Sequence, residues 1–227
     1  MAAAPHPSPA LRSWSAPTIR PTEDFMLKLY GTTASGNCYK PALLMRQLGV
    51  PFQWTEVDII NGGSRTPEFL ARNPNGRVPL LEITDHSETR TLAESNAMLC
   101  YLAEGTHLLP DDRWPRAQVM QWLFFEQYSH EPYVATVRWW VKYLHKQDEW
   151  KDKISEAMKK GYAALSVMEQ QLGKSPFLAG DRYTIADITA QVALLTARGA
   201  LKLAIPEDHR NLARWWRAVT QRPTARA

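Results

Sequence analysis

The stretch TTASGNCYK, residues 32–40, places three side chains suited to thiol chemistry within one short loop. Ser35 and Asn37 carry hydrogen-bond donors, and Cys38 carries a thiol of its own. A thiol must lose its proton to act as a nucleophile, and an unperturbed cysteine thiol has a pKa of about 8.5. Lowering that pKa by about two units requires about 2.7 kcal/mol in favour of the thiolate. A hydrogen bond to a charged group supplies about 1.5–3 kcal/mol, so one well-placed hydroxyl is enough.

The elements around the loop predict that Ser35 lies just before a helix. Residues 27–30 alternate as a short strand does, and residues 40–48 have helical periodicity. Because Pro41 is tolerated only near a helix start, regular helix is expected from about residues 38–39. The free N–H groups at such a start add about 0.3–1 kcal/mol in favour of an anion.

The following segments predict a small α/β domain. Strands and helices are expected in the order strand, helix, strand, strand, helix, over residues 52–58, 66–71, 78–83, 89–93 and 95–104, with Ser95 as the cap of the last helix. Together with the first strand and helix this gives the order βαβαββα. That order is typical of a thioredoxin-like fold, a sheet with helices on both faces.

The remainder of the chain is predicted to be all-helical. We therefore expect a disordered extension over 1–25, a thioredoxin-like domain over 26–106, a linker over 107–114 and a helical-bundle domain over 115–227. The extension is rich in Ala, Pro and Ser, and its prolines argue against the amphipathic helix of a transit peptide.

A capping box is predicted at the start of one helix in the second domain. Thr184 has the position of the N-cap and Asp187 follows at the third helical position, with Tyr183 and Ile188 as a hydrophobic staple. We therefore assign Asp187 a structural rather than a catalytic role.

Composition argues against several other classes of protein. The net charge is +4, but the basic residues are interleaved with acids, so no nucleic-acid partner is expected. No run approaches the roughly 20 apolar residues of a membrane span. Two cysteines form no disulfide framework, which suits a cytoplasmic protein. His130-Glu131 begins a zinc-peptidase motif, but Val134 stands where its second histidine belongs, so no metal is expected.

Four stretches in order resemble the cytosolic glutathione S-transferase family, and specifically its bacterial serine-type (theta-like or nu-like) members. They are LYGTTASGNCYK at 29–40, NPNGRVPLLE at 73–82, LAESNAMLCYLAE at 92–104 and FLAGDRYTIADI at 177–188. The resemblance implies a thioredoxin-like glutathione-binding domain, a helical second domain and a homodimer. Glutathione would be a co-substrate, the other substrate would be a hydrophobic small molecule, and the reaction would serve detoxification.

The resemblance also assigns roles within the opening loop. The pattern L-Y-x4-S-x2-C places Ser35 as the group that stabilises the thiolate of glutathione, with Asn37 as a second donor. Cys38 either packs beneath the helix or forms a mixed disulfide with glutathione. Tyr30 is interpreted as a strand residue that faces the core or the cleft.

Glutathione is expected to lie along the next two motifs. The family has a cis peptide before the proline, so Val78–Pro79 is predicted to be cis and to expose the backbone groups of Val78. Arg77 is the candidate for the glycyl carboxylate, with Arg65 and Arg72 as weaker ones.

The γ-glutamyl end carries both an amine and a carboxylate. Glu94 can bind the amine, and the N–H groups at the helix start of Ser95 suit the carboxylate.

The electrophile should meet the thiolate between the domains. An apolar acceptor pocket is expected there, and its candidate residues are Tyr128, His130, Tyr133 and Trp139. The function that follows is conjugation of the glutathione thiolate to hydrophobic electrophiles. Glutathione-dependent peroxide or disulfide reduction, or a non-catalytic binding protein on the same scaffold, are the alternatives.

Overall fold

A four-stranded sheet forms the centre of the first domain. The structure is a computed structural model that describes residues 25–201 and 204–222, so residues 1–24 of the expected extension lie outside the described residues. The strands are β1 Phe25–Gly31, β2 Gln53–Glu56, β3 Leu80–Asp85 and β4 Glu88–Ala93. Their order is β2-β1-β3-β4, with β1 parallel to β2 and antiparallel to β3, and β3 antiparallel to β4.

Alternation along the strands sends side chains to two separate apolar clusters. The helices of this domain are α1 Gly36–Leu48, α2 Pro67–Arg72 and α3 Ser95–Ala103, with a short 3-10 turn at Gly63–Arg65. Leu27 and Leu29 of β1 belong to the main cluster with α1 and α3. Tyr30 belongs to the smaller cluster with Phe69 of α2, and its hydroxyl donates to Glu82 Oε2 at 3.2 Å. Tyr30 is therefore a core residue.

Two helix starts differ from the predicted ones. Helix α1 begins at Gly36, earlier than predicted, because Ser35 is its N-cap and accepts a hydrogen bond from the Cys38 N–H at 3.4 Å. Pro41 lies within the helix, where it lacks the N–H that would bond back to the preceding turn. Ser95 was predicted as a cap, but it is the first residue of α3, and Glu94 before it has a positive φ of 67°.

The second domain is helical. Its elements are α4 Arg113–Phe125, a π-helical segment Glu126–His130, α5 Glu131–Lys142, α6 Lys151–Leu172, α7 Ile185–Leu201 and α8 Arg210–Thr220. The predicted fold class, a thioredoxin-like domain followed by a helical domain, is confirmed. Helix α7 is central, since it packs against α5 in its own domain and against α1 in the first. Within the ranges described, no helix has both the length and the apolar character that a bilayer crossing demands.

The predicted capping box is confirmed at the start of α7. The Thr184 N–H donates to Asp187 Oδ2 at 2.9 Å, and the Ala186 N–H donates to Thr184 Oγ1 at 3.3 Å. Asp187 Oδ1 also accepts from the Leu178 N–H at 3.0 Å and from Trp215 Nε1 at 2.8 Å. This fully buried carboxylate therefore ties a loop and α8 to the start of α7. Burial raises its pKa to about 6, against the lowering effect of these hydrogen bonds.

Candidate functional site

Two adjoining cavities lie where the opening loop of the first domain faces α5 of the second. The larger has a volume of about 470 Å³ and the smaller about 290 Å³. Both are lined by the same group of residues at their junction, namely Ser35, Asn37, Ile59, Arg77, Glu131 and Trp139. The structure thus brings Ser35 and Asn37 to the point where the two cavities meet.

Ser35 serves as a helix cap, and its hydroxyl also contacts the Cys38 thiol. Its Oγ accepts from the Cys38 N–H, which uses a lone pair and not the hydroxyl hydrogen. Since a hydroxyl hydrogen rotates about the C–O bond, the O–H can point to the Cys38 thiol or into the cavities that Ser35 lines.

Asn37 is oriented by hydrogen bonds at both ends of its amide. Its Oδ1 accepts from Ser95 Oγ at 3.4 Å, and its Nδ2 donates to Glu131 Oε1 at 3.2 Å. Since an amide nitrogen has two N–H groups, the second one is left for a ligand. The bond to Glu131 links the first domain to the second at the junction of the cavities.

Cys38 lies beneath the loop and outside both cavities. Its side chain is fully buried, and burial raises the pKa of its thiol to about 11 despite the hydrogen bond with Ser35. A thiol in this state is a poor nucleophile. The geometry supports the packing interpretation of Cys38 rather than the mixed-disulfide one.

The larger cavity gathers the main residues that the sequence suggested for glutathione. It is lined by Arg77, Val78, Pro79, Glu94 and Ser95, and also by Arg65. The Val78–Pro79 peptide bond is cis. Arg72, the other weaker candidate, instead lies over the ring of Tyr30 at 5.2 Å.

The predicted acceptor pocket requires correction, because only Trp139 of its four residues lines a described cavity. Tyr128 is 83% exposed, and His130 is fully buried, where burial lowers its pKa to about 4. Tyr133 lies against α6, with Lys160 Nζ at 5.4 Å from its ring centroid. The helices approach closely here, since a Cβ on Gly161 would lie 3.2 Å from the Tyr133 carbonyl oxygen.

The sequence analysis did not predict the buried ion pair that lines the smaller cavity. Lys40 Nζ of α1 lies 2.7 Å from Glu126 Oε2, and each side chain is 1% exposed. Glu126 Oε2 also accepts from Thr189 Oγ1 at 2.8 Å and from Gln127 Nε2 at 2.9 Å. Burial alone would raise the pKa of Glu126, but Lys40 and the hydrogen bond from Gln127 hold it below its usual value. Since 86 residues separate Lys40 from Glu126, no local spacing marks the pair.

Helix α5 supplies a second group of residues that the sequence analysis missed. Glu131, Ala135 and Arg138 line the smaller cavity. Their spacing is that of one helix face, so following this face from Trp139 would have found them. Burial raises the pKa of Glu131, partly offset by Lys40. Arg138 Nη1 donates to the carbonyl oxygen of Ala34 at 2.7 Å, directly before Ser35.

Comparisons with known proteins agree with this arrangement. Residues 34–104 match the family model described as "Glutathione S-transferase, N-terminal domain", and residues 124–223 match "Glutathione S-transferase, C-terminal domain". Glutathione S-transferase 3 of Zea mays is 31% identical over 210 residues, which cover 87% of this chain and 90% of that protein.

Solved structures match over a similar length. A glutathione S-transferase from Pseudomonas fluorescens is 41% identical with a TM-score of 0.81, covering 88% of this chain and 96% of that one. A glutathione transferase family member from the same organism, solved with two glutathione bound, is 26% identical with a TM-score of 0.78. That alignment covers 88% of this chain and 90% of the other.

Proposed function

Since the chain belongs to the glutathione S-transferase family, we propose that it binds glutathione in the larger cavity and transfers its thiolate to an electrophile in the smaller one. The relatives carry the family name, which confirms the prediction of an enzyme of this family. The observation that carries the proposal is the position of Ser35 and Asn37, both at the junction of the two cavities. A sulfur atom at this junction is within the space that both cavities share.

In this proposal glutathione extends along the larger cavity from α3 to Arg77. The γ-glutamyl carboxylate lies at the N-terminus of α3 near Ser95, and its amine faces Glu94. The peptide portion pairs with the backbone of Val78, and the glycyl carboxylate faces Arg77. A relative of this chain has been solved with glutathione bound, which supports this choice of ligand.

The sulfur is activated without a general base. The Ser35 O–H donates to the thiolate, an interaction worth about 1.5–3 kcal/mol, and the second N–H of Asn37 is positioned by Glu131 to assist. The N-terminus of α1 adds about 0.3–1 kcal/mol. These contributions match the roughly 2.7 kcal/mol needed to lower a thiol pKa by about two units.

Three finer assignments belong to the same proposal. The use of Ser35 makes the protein a serine-type member, and we retain the cytoplasm as its location. A homodimer is supported by exposed aromatic side chains on α3, on α4 and in the π-helical segment, which are Tyr101 at 41%, Phe124 at 71% and Tyr128 at 83% exposure. Reduction of peroxides or disulfides and a purely binding role are not favoured by the names of the relatives.

The test is the ultraviolet absorbance of the thiolate of bound glutathione, titrated with pH. The wild type is expected to show a thiol pKa about two units below that of free glutathione, and Ser35→Ala is expected to lose most of this shift. Because Ser35 is also an N-cap, Ser35→Ala should cost about 1 kcal/mol of stability. Thr66→Ala is the matched control, since Thr66 caps α2 in the same way, accepting from the Phe69 N–H at 3.3 Å, and lines neither cavity.

The outcomes separate the alternatives. A shift lost in Ser35→Ala but kept in Thr66→Ala supports the serine mechanism. An equal shift in the wild type and Ser35→Ala would assign activation to Asn37 or to backbone donors. Bound glutathione with an unshifted thiol pKa in the wild type would favour the non-catalytic binding protein.

A further inference from the structure

Arg138 presents a fixed cation to the smaller cavity. Besides the bond from Nη1 to the Ala34 carbonyl oxygen, its Nη2 donates to the Tyr143 hydroxyl at 3.2 Å. The guanidinium carbon also lies 5.3 Å from the centroid of the Tyr143 ring. Three contacts therefore restrain the side chain while further N–H donors of the guanidinium remain for a ligand.

The charge of Arg138 has no carboxylate partner among the residues that the structure describes. Of the two carboxylates that line the smaller cavity, Glu126 forms the buried ion pair with Lys40. Glu131 accepts the hydrogen bond from Asn37. The Arg138 guanidinium therefore forms no ion pair with the carboxylates that line the same cavity.

An aromatic surface adjoins this cation. Trp139 lines the same cavity and stacks on Tyr143 with a centroid distance of 4.7 Å and an interplanar angle of 27°. Ile59 and Ala135 add apolar surface. Tyr143 thus supports the guanidinium and the indole together, which fixes a charged group beside a flat apolar wall.

We propose that the second substrate is a planar electrophile that carries a carboxylate, with Arg138 binding the carboxylate and Trp139 contacting the ring. This inference rests on the proposed function and narrows its acceptor from hydrophobic compounds to anionic aromatic ones. A guanidinium matches a carboxylate through paired N–H donors, and its restraint reduces the entropy lost on binding. Glutathione's own carboxylates do not require Arg138, because it does not line the larger cavity.

The test compares two acceptors of similar size, a chlorodinitrobenzoate that carries a charge and the corresponding neutral chlorodinitrobenzamide. Each kcat/KM is divided by the rate constant of the uncatalysed reaction with glutathione, because the carboxamide activates the ring more strongly. In both, the glutathione sulfur bonds to the ring carbon, chloride leaves with the bonding electron pair, and the thiol proton passes to solvent. The variants are Arg138→Gln, which removes the charge, and Arg138→Lys, which keeps it. Lys142→Gln is the matched control, because Lys142 also places a cation over the Tyr143 ring, with Nζ at 5.6 Å from its centroid, but is exposed and lines neither cavity.

The loss of kcat/KM in Arg138→Gln is expected to be larger for the charged acceptor than for the neutral one. Arg138→Gln should lower kcat/KM for the benzoate about 10- to 100-fold and for the benzamide by less than about 3-fold. Arg138→Lys should retain part of the preference for the benzoate, Lys142→Gln should retain all of it, and the KM for glutathione should be unchanged.

Other results would overturn the inference. Equal losses for both acceptors in Arg138→Gln would show that Arg138 acts on the sulfur or on the Ser35 loop. A wild type that prefers the benzamide after division by the uncatalysed rate constants, or that loses no preference in Arg138→Gln, would show that no carboxylate binds there. The thiolate absorbance of bound glutathione is read separately and involves no acceptor. If the wild type showed no thiolate absorbance of bound glutathione, the proposed function would be refuted as well.

Discussion

Replacing Lys40 by Met tests whether the buried ion pair holds the two domains together. Lys40 belongs to α1 and Glu126 to the π-helical segment, and both side chains are 1% exposed. Lys40→Met preserves most of the side-chain volume but leaves the Glu126 carboxylate buried without its cation. Breaking a buried pair in this way costs about 3–5 kcal/mol. We expect a loss of this size in the free energy of unfolding at pH 7.

The loss should depend on pH in a defined direction. In the wild type the folded pKa of Glu126 is lowered, so its contribution to stability is present at neutral pH and is lost as pH falls through that pKa. In Lys40→Met burial dominates and the folded pKa rises above the unfolded value. The variant then loses stability as pH rises through the raised pKa, by about 1.4 kcal/mol for each unit of pKa. The difference from the wild type should therefore shrink between pH 7 and pH 5.

Urea unfolding followed by tryptophan fluorescence, at one protein concentration, measures these differences. Lys160→Met is the matched control, because Lys160 is 53% exposed and forms a surface pair with Glu156, which should cost less than about 1 kcal/mol. The double variant Lys40→Met/Glu126→Gln should recover at least about half of the loss, since no buried charge remains. A loss under about 1 kcal/mol in Lys40→Met that does not vary with pH would refute the reasoning.

Two further predictions concern buried groups outside the cleft. Asp187→Ala should lower the free energy of unfolding by about 3 kcal/mol or more, because Leu178, Thr184 and Trp215 each lose an acceptor. Urea unfolding measures this loss, and an Asp187→Ala variant as stable as the wild type would contradict the structural role of the capping box. With a thiol-specific reagent at pH 8, Cys38 should react only after unfolding, because its thiol is fully buried and burial raises its pKa to about 11. Cys100 is half-buried and burial raises its pKa as well, so it should react more slowly than a free thiol but before Cys38. Peptide mass spectrometry identifies the modified cysteine, and native labelling of Cys38 would contradict its packing beneath the loop.

The fold and the residues that line the larger cavity could be predicted because their signals are local. The loop containing Ser35, the turn before Pro79 and the helix start at Ser95 are each short motifs, and the sheet brings them to one edge. The start of α1 was predicted late, since the rule for Pro41 outweighed the capping signal of Ser35. Such errors shift a boundary but do not move the site.

The lining of the smaller cavity could not be predicted from an uninterrupted helical pattern, because the chain between α4 and α5 is not a regular α-helix. The N–H of Glu131 bonds to the carbonyl oxygen of Glu126, five residues back, as in a π-helix. In a regular α-helix, with about 100° per residue, residues five apart point about 140° away from each other. The π-helical bond instead brings both carboxylates to the smaller cavity.

This change of register determines which face of α5 meets the first domain. With one more residue in the turn, Tyr128 faces solvent while Arg138 and Trp139 face the cleft. Without it, the residues after His130 would be rotated by about 100° relative to α4, and Arg138 could not reach the carbonyl oxygen of Ala34. The same segment holds Glu126 against Lys40, so one irregular turn determines both this contact between the domains and the side chains that line the smaller cavity. It follows that the lining of the smaller cavity depends on the π-helical segment as much as on the side chains of α5.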